Sequence, residues 1–481
     1  MPANIIDNNN KITIIQKRLT ILVTYCNEAG HMNACIGTTK TLLRRGHRVI
    51  FLIHKAWTNT DTLTRLGYEL YLYSGEELKP NQSPADAVAE KLEQFQIISP
   101  HIDTKNKLIN IVRYFREGPY MEHKLKSLNN ALEVAIKKFD PDGIIVDDHS
   151  VPPAVFYSGK PWIKNISMAP LFEMFDPTLP PGGSGLYFLF KLNLNYISYH
   201  QGLPSNGDRS EWPAYNEIRR KLFFSSEFND CIERWGYQRY SNDAIFPPTQ
   251  LLTIYACPQE LNYSQIVQNT NWFNLESFNK IDVAAGESQG VKELRQLLSE
   301  SFFSLTRFND GQKWSGKWIL VSMGSMGSVD LTLMKRLVML LGQTNHKYVV
   351  SKGPRHDQYQ LSSSGNMWGE KFLSQTALLP HMDLVITHGG NNSVTETFAQ
   401  GKPMIVMPLF ADQYDNAQRL HETGLGVRVD PYTVTQTELD AIIDRLLGDQ
   451  VLASKLTAAF HRIQASDAHE RLADRIECLL D

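Results

Sequence analysis

The sequence predicts an α/β protein built from two doubly wound parallel-sheet domains facing each other across a cleft, and three observations predict it. The chain has 481 residues, more than one core comfortably serves. A strand–turn–helix–strand grammar opens the chain and restarts near residue 317, as two βαβ-built halves would require. No short-period repeat runs through it, which removes solenoids and propellers.

The elements follow in order. Leu19 to Tyr25 (LTILVTY) is a short apolar, β-branched run of the kind a buried parallel strand shows. A Gly-containing turn at Glu28 to His31 leads into a helix with Cys35, Ile36, Thr39, Leu42 and Leu43 on one face, ended by Gly46. Arg48 to Ile53 is the next strand, completing one βαβ unit. Asp142 to Asp147 (DGIIVD) is a strand that finishes in acid, with Pro161 to Ser167 after it. Phe172 to Pro248 breaks the rhythm, first with prolines and glycines, then with aromatic, helix-like sequence. It reads equally as a surface excursion and as a lid or acceptor pocket.

In the second half, Lys317 to Ser322 is a strand, Met323 to Ser328 (MGSMGS) a turn, and Leu331 to Leu341 a helix. Further strands are expected at Lys347 to Ser351, Leu384 to Thr387 and Met404 to Met407. The expected division is a first domain over 1–275 with an insertion at 172–248 and a polar linker over 276–290. A second domain over 291–450 and a terminal helix over 451–481, packing back on the first domain, complete it.

Composition narrows the function classes. Hydrophobic residues make up 42% and charged residues 21%, an ordinary globular balance that excludes a mostly disordered chain. With 48 Lys and Arg against 51 Asp and Glu, no basic bias argues for nucleic acid. Cys26, Cys35, Cys231, Cys257 and Cys478 form no CxxC pair and read as reduced thiols of a reducing compartment. No run approaches the ~20 apolar residues of a membrane span. The polar start around Asn8, Asn9 and Asn10 lacks a signal-peptide core. A cytoplasmic protein without membrane anchor, monomeric or weakly dimeric, is the expectation.

Chemistry concentrates in His388 to Asn416 (HGGNNSVTETFAQGKPMIVMPLFADQYDN). A strand end, Gly389-Gly390 and a helix start make an anion site, because free N–H groups and the helix dipole favour a phosphate. His388, Asn392 and Ser393 add side-chain donors, and Glu396, one turn on, can accept from a sugar diol. Asp412-Gln413 follows the next strand, at the edge where doubly wound sheets bind ligands.

This run resembles the donor-binding signature of the UDP-glycosyltransferase superfamily, inverting enzymes of the GT-B fold. The matching residues are His388-Gly389-Gly390, Asn392-Ser393, Glu396, Gly401-Lys402-Pro403, Pro408, Asp412-Gln413 and Asp415-Asn416-Ala417. Where the family opens with an aromatic residue and then Pro-Gln, this chain has Phe372-Leu373-Ser374-Gln375. The resemblance implies that Phe372 stacks on uracil and Gln375 helps hold the nucleotide. It implies ribose contacts from Glu396, diphosphate contacts from His388, Gly390, Asn392 and Ser393, and sugar contacts from Asp412 and Gln413. Gly324 and Ser325 match the family's Phe-Gly-Ser turn beside the phosphates. Gln413 is the family's usual residue for glucose.

Gly30-His31-Met32-Asn33 resembles the superfamily's N-terminal Gly-His loop, in which the histidine is the general base, and Arg45-Gly46-His47 its Arg-Gly-His helix end. A helix N-terminus disfavours the protonated imidazole, so a neutral His31 is expected. A base needs an orienting acid. Asp147, closing its strand, is preferred for that place, with Asp148 the alternative one residue on. His47 reads as structural, and so does Asp140-Pro141-Asp142, a DxD pattern at the wrong edge of its sheet. No HExxH, P-loop, GxSxG or GxGxxG occurs in a fitting context, and His123, His149, His346, His356 and His421 show no metal-ligand spacing.

The implied reaction moves a hexose from a UDP-sugar, UDP-glucose first, to a hydroxyl of a small lipophilic acceptor, with inversion and no metal. Phenols, flavonoids, sterols, macrolides and xenobiotics fit an apolar pocket built from Phe172, Phe175, Tyr187, Phe188, Phe190 and Tyr196. Conjugation of xenobiotics for detoxification is the matching role, on the soluble, macrolide-glycosyltransferase-like branch of the superfamily. Two rivals stand beside it: a nucleotide-sugar epimerase on the same fold, and a non-catalytic nucleotide-sugar-binding subunit.

Overall fold

The computed structural model describes residues 3–6, 12–15, 17–56, 60–75, 79, 84–117, 120–186, 209–247, 249, 251–267, 269–279, 316–362 and 364–481. An antiparallel pair, β1 (Ala3–Ile6) and β2 (Ile12–Ile15), comes first. A parallel sheet follows, made of β3 (Thr20–Tyr25), β4 (Arg48–His54), β5 (Glu69–Tyr73), β6 (Gly143–Asp147), β7 (Trp162–Ile166), β8 (Thr253–Tyr255) and β9 (Trp272–Asn274). Its spatial order is β5-β4-β3-β6-β7-β8-β9. The second sheet, also parallel, holds β10 (Trp318–Ser322), β11 (Lys347–Ser351), β12 (Met367–Glu370), β13 (Leu384–Thr387), β14 (Met404–Val406) and β15 (Val427–Arg428). Its order is β12-β11-β10-β13-β14-β15.

The central strands read as unbroken apolar runs because helices cover both faces of each sheet. Ile21 to Tyr25 and Val49 to Ile53 are buried at every position, whereas the edge strand β5 (ELYLY) is largely open to solvent. In each sheet the chain leaves its first strand toward one edge, then returns to build the other. Connections therefore part between β3 and β6 and again between β10 and β13, and each parting opens a crevice at the carboxyl ends of the strands. The two crevices face one another.

The chain's end straps the domains together. Where one terminal helix was expected, two form: Gln450–Ala465 and Ala468–Leu480, parted at Ser466, whose ψ of 137° is extended. The second lies on helix Ala29–Arg44 of the first domain. It buries Leu472, Ala473, Ile476 and Leu480 in a core with Leu19, Ile21, Val23 and Leu42. At about 1.5–3 kcal/mol for each large apolar side chain removed from water, this burial outweighs the rim ion pairs from Arg45 to Glu470 and Asp474. His47 is built into the same seam: its Nδ1 accepts from Leu19 N at 3.1 Å and its Nε2 lies 2.8 Å from Glu477 Oε1.

Smaller differences have local causes. The MGSMGS turn winds into a four-residue helix, Gly324–Gly327. The 172–248 segment supplies helices Trp212–Phe223 and Ser226–Arg234. Tyr187, Phe188, Phe190 and Tyr196, and the 280–290 part of the expected linker, lie outside the described residues.

Candidate active site

In the first domain, β3 and β6 are paired in parallel with Tyr25 opposite Asp147, so the turn after β3 and the acid ending β6 meet at the crevice. His31 is the third residue of helix Ala29–Arg44. Its Nδ1–H donates to Asp147 Oδ1 at 2.8 Å, and Ser167 Oγ lies 2.9 Å from the same nitrogen. Asp147 Oδ1 also accepts from Ser167 Oγ at 3.0 Å, and its Oδ2 accepts from Asn165 Nδ2 at 2.7 Å. Asn165 is oriented in turn by Thr38, whose hydroxyl donates to Asn165 Oδ1 at 2.8 Å. With Nδ1 held in this way, Nε2 is the nitrogen left for chemistry.

Electrostatics correct one expectation. The helix N-terminus suggested a neutral imidazole, and burial does push His31 toward neutrality. The charge and hydrogen bond of Asp147, with Glu28 and Asp148 behind them, outweigh burial and raise it from 6.5 to about 9. Asp148 takes another place: it accepts from its neighbour His149 N at 2.7 Å, and burial raises its carboxyl. The DxD pattern lies at the opposite edge of the sheet, where Asp142 accepts from Thr20 N and pairs with Lys17, and Asp140 pairs with Lys160.

In the second domain, β10 and β13 frame the other crevice. His388 follows β13 and is packed between glycines, since a Cβ at Gly324 would come within 2.6 Å of its ring and one at Gly390 within 2.5 Å. Gly324 also holds φ +67, where other residues are strained. Burial lowers His388 to about 4, so its imidazole is neutral and offers a hydrogen bond rather than a charge. Gly389, at φ +88, turns the chain into helix Asn391–Phe398. Ser325, Gly390, Asn392, Ser393 and Glu396 all line the cleft.

Glu396 is fixed from both sides, accepting from Asn279 Nδ2 at 2.6 Å and Gln375 Nε2 at 2.9 Å. Gln375 Nε2 also reaches Ser393 Oγ at 3.3 Å. Phe372 stands at the rim with 59% of its surface exposed. Three expected ligand contacts are already engaged within the protein. Asn392 Nδ2 donates across the cleft to Gly30 O at 2.7 Å, and Asp412 Oδ2 accepts from Ala169 N at 2.8 Å. Gln413 Oε1 accepts from Leu409 N at 2.9 Å. These bonds draw the two domains and the donor loop together.

One cavity of about 1670 Å³ joins the two crevices, with His31 and Asp147 on one wall and His388, Gly390, Asp412 and Gln413 on the other. Its first-domain end is apolar, lined by Leu92, Ile111, Val112, Phe115, Phe172, Phe223 and Phe246 among others. Phe172 was expected there. Phe175 instead lies outside, 40% exposed, edge-on to Phe223 and Phe224 with the Arg219 guanidinium over its ring.

Sequence reasoning missed several groups near His31. Asn165 and Ser167 stand two apart, on one face of the strand beside Asp147, so period-two reading of Pro161 to Ser167 would have found them. Cys26, Lys124 and His149 form a polar group, with Cys26 Sγ 3.1 Å from His149 Nε2 and 3.9 Å from Lys124 Nζ. Only the meeting of β3, β6 and the 120–125 segment assembles them.

Comparison with known proteins gives a concordant result. Residues 320–462 match the family model described as "UDP-glucoronosyl and UDP-glucosyl transferase". NDP-glycosyltransferase YjiC of Bacillus subtilis (strain 168) is 27% identical over 163 residues, 34% of this chain and 42% of that protein. A zeaxanthin glucosyltransferase of Pseudescherichia vulneris is 38% identical over 106 residues, 22% of this chain and 25% of that one. The matches thus span less than half the length of either relative. The solved glycotransferase of kitacinnamycin aligns over 97% of this chain and 100% of its own with a TM-score of 0.60. Its sequence is 17% identical, so the likeness is one of fold. Among the described residues no helix is long and apolar enough to cross a membrane.

Proposed function

Because the chain is a member of the UDP-glycosyltransferase superfamily, with the family match in its second domain and the GT-B fold along its length, we propose that it transfers a hexose from a UDP-sugar to a hydroxyl of a small lipophilic acceptor. Glucose is the sugar we favour, and the transfer inverts the anomeric carbon. The observation that carries this reading is the facing of two walls in one cavity: a carboxylate-backed histidine opposite a glycine-flanked helix start.

The acceptor binds in the apolar end of the cavity, beside Phe172, Phe223 and Phe246. His31 Nε2 takes the hydroxyl proton as the oxygen attacks the anomeric carbon. Asp147, on Nδ1, offsets the charge that develops on the ring. The C–O bond to the diphosphate breaks on the far side, and the electron pair leaves with the nucleotide. The N–H groups opening helix Asn391–Phe398, neutral His388 and the helix dipole stabilise that leaving charge. Phe372 stacks on the base, Gln375 and Glu396 hold the nucleoside, Ser325 and Ser393 the phosphates, and Asp412 and Gln413 the sugar. For Asn392 this role falls to the backbone N–H, since its side-chain amide is spent on Gly30. The names of the relatives, an NDP-glycosyltransferase and a zeaxanthin glucosyltransferase, favour a nucleotide-sugar donor and an apolar acceptor. A cytoplasmic site of action and a monomer or weak dimer complete the proposal.

The test is UDP release from the purified chain with UDP-glucose, with and without a panel of phenolic and aliphatic alcohols, beside His31→Ala. The expected result is acceptor-dependent release that the variant abolishes while it still binds UDP. Full turnover by His31→Ala would refute the assigned base, and release without any acceptor would favour hydrolysis or epimerisation.

A further inference from the structure

We propose that Cys26, His31 and His149 form a three-ligand site for a divalent ion of the Zn²⁺ class, and that an ion bound there switches off His31. One ligand atom from each of the three residues lies within 4.8 Å of the others. A thiolate with two imidazoles selects borderline and soft transition ions over Mg²⁺ or Ca²⁺. The three residues come from separate elements that converge on one crevice. Cys26 directly follows β3, His31 is in the first turn of helix Ala29–Arg44, and His149 stands two residues past β6.

The geometry is near what an ion needs. Adjacent ligands on a tetrahedral Zn²⁺ stand about 3.4–3.6 Å apart. Cys26 Sγ and His149 Nε2 are 3.1 Å apart, and the His31 and His149 rings have centroids 5.4 Å apart at 76°. Closing around an ion takes side-chain shifts of about an ångström. The outer arrangement is in place as well. Metal-bound histidines commonly donate their other N–H to a carboxylate, and His31 Nδ1 does so to Asp147. That bond presents Nε2 as the ligand. His31 and His149 both line the cavity, which provides an entry path and leaves the fourth position open. Glu28, Asp147 and Asp148 line the same cavity, and the charges of Glu28 and Asp148 offset the Lys124 ammonium.

Binding forms one S–metal and two N–metal bonds; the Cys26 thiol proton and, where His31 is an imidazolium, its Nε2 proton pass to solvent, and no electron moves. Occupation removes the lone pair of His31 Nε2, so acceptor deprotonation stops. This inhibition rests on the transfer reading above, whereas the binding itself does not.

The experiment titrates the purified full chain with Co²⁺ as a spectroscopic stand-in. The expected result is one ion per chain, a thiolate-to-cobalt charge-transfer band in the near ultraviolet, and the strong visible absorption of tetrahedral Co²⁺. Zn²⁺ should displace it. Cys26→Ser should remove the charge-transfer band, and His149→Gln should weaken binding at least tenfold. Cys478→Ser, at the exposed thiol, should leave the spectrum intact. In the activity arm, Zn²⁺ should block UDP release, a chelator should restore it, and Cys26→Ser should tolerate at least tenfold more Zn²⁺. A missing band in the wild type, or one that survives Cys26→Ser, overturns the site. Binding as described with turnover unchanged overturns the switch. A metal-free protein that turns over no acceptor counts against the transfer reading alone, because the spectra still decide the site.

Discussion

Replacing Asp147 by Asn keeps its size and removes its charge, and the surrounding hydrogen bonds dictate which way the new amide points. Thr38 donates to Asn165 Oδ1 and so commits Asn165 Nδ2 as a donor toward Asp147 Oδ2. The amide oxygen of the substituted side chain must stay there, which puts its NH₂ where Oδ1 now accepts from His31 Nδ1 at 2.8 Å. An NH₂ cannot accept, so the imidazole switches tautomer and carries its proton on Nε2, facing the cleft. Turning the amide back leaves a buried group unpaired, at about 1–3 kcal/mol or roughly a 5- to 160-fold loss of the productive form. The base is weakened too. Its rise from 6.5 to about 9 is removed, and with about half of the proton transferred in the transition state this costs roughly 20-fold. Asp147→Ala suffers only the second loss. The expected order of kcat/KM at high pH is therefore wild type, then Ala about 20-fold lower, then Asn roughly 100-fold lower or worse. The assay is acceptor-dependent UDP release from about pH 5.5 to pH 10. The wild type should rise through about 9 as His31 deprotonates, and Asp147→Ala should have its acid limb below 6.5. An Asn variant as active as Ala, or a limb that stays in place, would refute the reasoning.

Three further outcomes are expected. Gly324→Ala should lower UDP affinity by at least tenfold by calorimetry with the fold retained, because the new Cβ meets His388 at 2.6 Å and φ is +67; affinity within twofold of wild type would count against it. Ile476→Ala should cost about 2–4 kcal/mol in urea unfolding, because Ile476 is fully buried in the strap beneath helix Ala29–Arg44; a loss under half of that would show the strap to be dispensable. Stability should also carry the sign of the raised groups. His31 is held at about 9 against 6.5 unfolded, so its share is fully present below about 6.5 and is lost as pH rises through 9. Asp415, raised from 3.8 to about 7 by burial, loses its share as pH rises from about 4 through 7. The Tm difference between wild type and His31→Gln should therefore shrink between about pH 6.5 and 9.5, and a difference that grows would reverse the sign.

The central strands were legible because burial on both faces removes the choice of side. A run such as TILVTY, apolar at nearly every position, suits a covered parallel strand, and β3, β4, β6, β10, β11, β13 and β14 lie within two residues of where they were expected. The edge strands β5, β9, β12 and β15 were not. β5 exposes Glu69 and Leu72, and β15 has two residues, so neither shows the apolar run that announces a strand. The parting of the last two helices was also invisible. Ser466 and Asp467 are tolerable inside a helix, and only the path from one domain to the other makes them a corner.

The site was legible where its parts are contiguous in sequence and obscure where the fold assembles them. His388 to Gln413 carries its own context of strand, glycine turn and helix start, so its cleft-lining residues could be named directly. What sequence could not show is that Asn392 and Asp412 would spend hydrogen bonds on Gly30 and Ala169 of the other domain. His31 shows the limit most clearly. Its place in a helix first turn argues for neutrality, but that effect is about 0.3–1 kcal/mol. A buried carboxylate 2.8 Å from Nδ1 has the opposite sign and, at about 1.4 kcal/mol for each pH unit between 6.5 and 9, about three times the size. The local term is written in the helix and the larger one only in the pairing of β3 with β6. A histidine whose acid partner is known should therefore have its charge argued from that partner before its helix.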